Sequence, residues 1–118
     1  MENMNVLIAI VLHQVERLDD ILSSLVELGV EDAVTIDAEP MKKSLAYKVP
    51  IFAGLKFDLK EDPYSKIILA VTENKDAGEQ LASFLKGVGI DVSKPGVARI
   101  LTIKLESLFG QAEELGEI

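Results

Sequence analysis

The chain has 118 residues and is 48% hydrophobic, enough for one domain with a substantial core. Twenty acidic against twelve basic residues give a formal charge of −8, a field that repels phosphate backbones and makes nucleic acid an unfit main partner. With no cysteine and one histidine, a disulfide framework, a thiolate nucleophile and a multi-histidine metal site within one chain are excluded, and no metal is expected.

The longest purely aliphatic run, Val6 to Leu12, is far too short to cross a bilayer and follows no basic leader with a cleavage site. The expectation is a soluble, unprocessed, cytoplasmic protein with no membrane insertion.

Asn5 to Leu12 is aliphatic at both parities, the pattern of a first strand buried on both faces. From Gln14 the period changes: Val15, Leu18, Ile21, Leu22, Leu25, Val26 and Leu28 form one helical stripe, and Gly29 supplies the stop. Ala33 to Asp37 reads as a short second strand. Residues 39–64 are a long loop-like excursion with mixed signals, bounded by Pro40 and interrupted by Pro50, Gly54 and Pro63.

Ile67 to Thr72 repeats the all-apolar strand pattern. Asn74 then reads as the N-cap of a helix carrying Ala77, Leu81, Phe84, Leu85 and Val88, ended by Gly87 and Gly89. A loop through Asp91, Pro95 and Gly96 leads to a last strand, Val97 to Leu105, and an acidic tail follows at 111–118.

The order βαββαβ predicts a single α+β domain over 1–110, a ferredoxin-like sandwich with a four-stranded antiparallel sheet and two helices on one face. That plan leaves the other sheet face bare. Because the first and third strands are apolar on both faces, a lone subunit exposes an apolar surface larger than soluble monomers usually carry, and symmetric assembly is expected to bury it.

The order of elements, the stretch "ELGVEDAVTID", the long excursion between the second and third strands and the glycine-containing loop before the last strand resemble the PII signalling superfamily over residues 5–110. The stretch "LAYKVPIFAGLKF" is similar to a segment of uncharacterised PII-like proteins. The resemblance implies a homotrimer with inward-facing sheets, nucleotide in clefts between subunits (an adenine nucleotide being one candidate), and a long T-loop, here 39–64, that touches a protein partner. The chain departs from that family at three places. "AEPMKKS" stands where the family has a glycine-bearing phosphate motif, Arg99 in "KPGVARI" stands where it has a lysine, and Leu105 to Ile118 contains no Lys or Arg.

The candidate anion site is Arg99 with Gly96, since a guanidinium beside loop amides suits phosphate or carboxylate. Lys42 and Lys43 are expected to reach the same anion from a neighbouring subunit, with Lys48 in support; basic residues also simply keep a loop soluble. Lys42, Lys43, Lys48, Lys56 and Lys60 make this stretch locally basic. Tyr47, Pro50, Ile51, Phe52, Leu55 and Phe57 form an apolar cluster that packs against another subunit or docks a partner. His13 reads as a loop or cap residue, and Glu16, Asp19, Asp20, Glu31 and Asp32 as solvated acids.

Ser23, Ser24, Ser44 and Ser65 have no nearby histidine to activate them, and no nucleotide-binding or hydrolase signature occurs, so no enzyme is expected. The leading expectation is a trimeric regulatory protein that binds a small anion between subunits. The alternatives are an amino-acid-binding module of the ACT kind, which wants a glycine after the first strand, and a CutA-type metal-tolerance protein, which the single histidine disfavours.

Overall fold

β1 (Val6–Leu12) alternates fully buried with half-buried residues along its whole length, and that alternation locates the core. Its even positions, Val6, Ile8, Ile10 and Leu12, are at most 5% exposed and lie under the two main helices. The computed structural model describes residues 4–58 and 64–112, with backbone alone for 55–58. Lys60, Pro63 and the end of the acidic tail lie outside those residues, as do the side chains of Leu55, Lys56 and Phe57.

After β1 come a 3₁₀ turn (Val15–Arg17), α1 (Leu18–Glu27), β2 (Ala33–Ala38) and α2 (Met41–Lys48). A 3₁₀ stretch (Pro50–Asp58), β3 (Ser65–Thr72), α3 (Ala77–Gly87) and β4 (Ala98–Lys104) follow. The strands form one antiparallel sheet in the order β2-β3-β1-β4, with each of the α1 and α3 crossovers spanning one intervening strand. This is the ferredoxin-like α+β plan.

The core is built where the helical stripes meet the even face of the sheet. Ile21 and Leu25 of α1, with Leu81 and Leu85 of α3, are sealed against Ile8, Ile10 and Ile68. Each such side chain contributes roughly 1.5–3 kcal/mol on removal from water. Ser24 is buried among them without penalty, because its hydroxyl donates to the Asp20 carbonyl at 2.7 Å.

Local sequence sets the element ends. Val30 N–H reaches the Leu25 carbonyl at 2.9 Å, and Ile90 N–H the Leu85 carbonyl at 2.8 Å, so both helices close with the same six-residue turn and a glycine at the same place. Gly29 and Gly89 are those stops, whereas Gly87, expected to share the role, is still inside α3. The start of α1 comes later than the apolar period suggests. The Val97 carbonyl accepts from both His13 N–H (3.0 Å) and Gln14 N–H (3.1 Å), holding the chain against β4 before the helix can begin. Asp76, not Asn74, occupies the cap position of α3; the Asn74 side chain instead accepts from Asp76 N–H at 3.0 Å, a turn that precedes the helix.

The largest departure from expectation is in the excursion. Residues 41–48 are helical and 50–58 are a 3₁₀ stretch, so a third helix stands beside the expected two. Pro40, which bounds the excursion in sequence, sits at the N-cap in an extended conformation (φ −61°, ψ 145°), a place where its missing N–H costs no helical hydrogen bond. Good helix formers follow it, and Val49 and Pro50 end the run. Only Ala46 of α2 is buried, so α2 rides on the body rather than forming part of the core.

Candidate functional site

Among the described residues, the two core helices α1 and α3 pack on the even face of the sheet and leave its odd face uncovered by either. Antiparallel register places directly paired residues on the same face, which yields three cross-strand rows: Val34–Leu69–Ala9–Leu101, Ile36–Ile67–Val11–Arg99, and Val71–Leu7–Ile103. Ten of these eleven side chains are apolar, and Arg99 is the eleventh. The outer-strand members Val34, Ile36, Leu101 and Ile103 are 39–56% exposed. An apolar surface of this breadth is what a symmetric partner buries.

Arg99 is exposed at the start of β4, beyond a turn that the sequence pins in place. Ser93 donates to Asp91 Oδ1 twice, from its hydroxyl (2.6 Å) and its N–H (3.0 Å), and these bonds hold the Asp91 carboxyl below its ordinary value. Gly96 then turns the chain with φ +79°, a region that favours glycine, and Val97 anchors the turn through its carbonyl. Beside Arg99 lies a shallow hollow between α3 and β4, lined by Gly78, Ala82, Val92, Ile100 and Thr102, with Glu79 at its rim.

Lys43 is placed elsewhere. Its Nζ lies 3.2 Å from the ring centre of Tyr64 and 3.6 Å from Glu39 Oε1, and its side chain is only 13% exposed. Glu39 is a hub: Ser44 Oγ donates to its Oε2 at 2.5 Å and Lys48 Nζ at 3.1 Å. Ser44 first, then Lys48 and Lys43, hold the Glu39 carboxyl below its ordinary value. Contact with the Tyr64 phenol, then Glu39, holds the Lys43 ammonium above its own. Lys42 is exposed on the same helix. β4 and β2 are three strand spacings apart, about 14 Å, so Arg99 and the α2 lysines occupy opposite flanks of one subunit. A single anion meets both sets only if a second copy brings them together.

The apolar cluster of the excursion is on the surface. Tyr47, Pro50, Ile51 and Phe52 are all exposed, Ile51 by 84%. The sequence suggests that these residues need cover, and within one subunit they have little.

His13 and Ser65 correct the reading that no serine has a nearby histidine. His13 Nδ1 and Ser65 Oγ share a hydrogen bond of 3.2 Å across 52 positions of sequence, because they lie one residue beyond Leu12–Lys66, the last pair of the β1–β3 register. Ser65 is 4% exposed, and a nucleophile needs access to its substrate.

A wider hollow than the one beside Arg99 lies at the opposite end of the sheet, near Asn5, Gly29 and Asn74, and presents Glu31, Asp32 and Glu73. Three carboxylates suit no anion. Among the described residues no group of acids and histidine is arranged to hold a metal ion, and no helix is long and apolar enough to cross a membrane.

No protein-family model and no curated protein matches this chain. Its surfaces carry the functional reading. Glu39 and Tyr64 are not singled out by the sequence, and Ser44 is read there only as an unactivated hydroxyl; the i,i+4 spacing of Glu39 and Lys43 becomes a signal once Glu39 is seen to sit just before the N-cap of α2.

Proposed function

We propose that the chain is a PII-like regulatory binding protein rather than an enzyme. It assembles as a homotrimer through the open sheet face and holds a small anionic effector, an adenine nucleotide being the first candidate, between subunits near Arg99 and Gly96. Lys42 reaches that cleft from the neighbouring copy, and the excursion with Tyr47, Ile51 and Phe52 faces a second subunit or a protein partner. The open face is the observation that carries this reading: two rows across four strands and one across three, apolar but for one cation at the edge. Exposure of the excursion's aromatic and aliphatic side chains supports the second contact.

Two measurements on the purified protein test the proposal. Light scattering is expected to return three times the chain mass. A thermal-shift panel of ATP, ADP, AMP, cyclic dinucleotides and bicarbonate is expected to raise the melting point with at least one of them, since a ligand at 100 times its Kd adds about 2.7 kcal/mol. A monomeric mass sinks the assembly, and a flat panel sinks the effector site.

A further inference from the structure

Glu39 and Tyr64 stand at the two sides of the excursion's neck, immediately outside the paired residues Ala38 and Ser65. Lys43 joins them, with its ammonium over the Tyr64 ring and beside the Glu39 carboxylate. α2, of which only Ala46 is buried, is thereby tied to the neck through a charged contact. The tie has a second property. Three donors from one helix, Lys43 Nζ, Ser44 Oγ and Lys48 Nζ, converge on a single carboxylate supplied by the chain itself.

We infer that Glu39 is an internal competitor for a phosphate-type anion at Lys43, Ser44 and Lys48, and that the anion opens the neck by displacing it. A phosphate-bearing ligand brings more charge and more acceptor oxygens than a carboxylate, so it satisfies the same three donors and pulls them off Glu39. Once Glu39 is displaced, Lys43, Ser44 and Lys48 of α2 lose their shared carboxylate partner at the neck. The segment carrying Tyr47, Ile51 and Phe52 then changes its position relative to the sheet. Its regulatory consequence rests on the reading of the protein as a sensor; the competition between anion and Glu39 does not.

Inorganic pyrophosphate is the probe, compared with sodium chloride at equal ionic strength. Binding is followed by ³¹P line broadening and calorimetry, and the release of α2 by amide hydrogen exchange over 41–52. Pyrophosphate is expected to speed exchange there in a saturable way while β1 and α3 stay protected. Glu39→Gln is expected to bind pyrophosphate about fivefold tighter, the ratio matching the upper range of an exposed ion pair. Lys43→Met is expected to weaken it by about tenfold, with an unchanged circular dichroism spectrum excluding misfolding. Equal effects of chloride and pyrophosphate would reduce the tie to ordinary screening and overturn the inference, as would unaltered affinity in Glu39→Gln. Loss of binding in Arg99→Ala with retention in Lys43→Met places the anion at Arg99 instead, which defeats this inference and leaves the sensor reading standing. A monomeric mass with the Glu39 and Lys43 effects intact does the reverse.

Discussion

Arg99 stands directly opposite Val11 in the β1–β4 ladder, so a fixed positive charge closes a row that is otherwise Ile36, Ile67 and Val11. The open face is therefore apolar through its middle and cationic at one corner. A partner that covers the middle brings its own groups to that corner, where an anion would be shielded from bulk water and its attraction to the guanidinium strengthened.

Arg99→Ala should abolish the melting-point rise produced by whichever anion registers, lowering its affinity at least tenfold through loss of a charge-assisted contact. The unliganded melting point should move by no more than about 3 °C, because Arg99 is a surface residue. Thermal shift with and without ligand reads both. A ligand response equal to wild type removes Arg99 from the site.

Neighbouring positions on β3 separate the two faces of the sheet. Leu69→Lys places a charge in the open face, and light scattering should show a drop to the mass of one chain with the circular dichroism spectrum retained. Ile68→Lys, one residue away, buries an unpaired charge at a site with no exposure and should cost 4 kcal/mol or more, roughly enough to unfold a small domain. An assembled Leu69→Lys variant would show that the open face is not the interface.

Gly78 should be the less replaceable of the two glycines of α3. A Cβ there would lie 2.6 Å from Thr102 Oγ1, which sits on β4 beneath the helix start. Gly78→Ala should therefore destabilise by about 1 kcal/mol despite alanine's better helix propensity. Combined with Thr102→Ala it should match or exceed wild type, because the clash is gone and the propensity gain remains. Urea denaturation of the two singles and the double gives the coupling directly.

The tie at the neck has a defined pH window. Glu39's folded value is depressed, so its contribution is present above the ordinary glutamate range and disappears as pH falls through the folded value. Lys43's is raised, so its contribution is present below the ordinary lysine range and disappears as pH rises through the folded value. The Tyr64 ring-proton shifts should be flat from about pH 5 to pH 9 and change on the acid side only below the usual glutamate range. Glu39→Gln should remove the acid-side change; persistence of that change in the variant would assign it to another group.

The α+β class, the antiparallel sheet, four strands and two main helices follow from period alone, because the aliphatic runs at 6–12 and 67–72 and the stripes from 18 and 77 have only one economical way to share a core. The doubly apolar first and third strands also announced the bare face before any register was known. Tertiary structure decided what depends on pairs distant in sequence. Which parity of β1 faces the helices, the His13–Ser65 contact, the Lys43–Tyr64 stacking and the near-collision of Gly78 with Thr102 all arise from strand register and helix docking. A one-residue slip in that register would exchange the buried and open faces of a strand without changing its composition. Helix α2 falls between the two: its residues permit a helix, but Pro50, Gly54 and Pro63 make the whole excursion read as a loop, and the fold places the bounding Pro40 at an N-cap, where its ring is harmless.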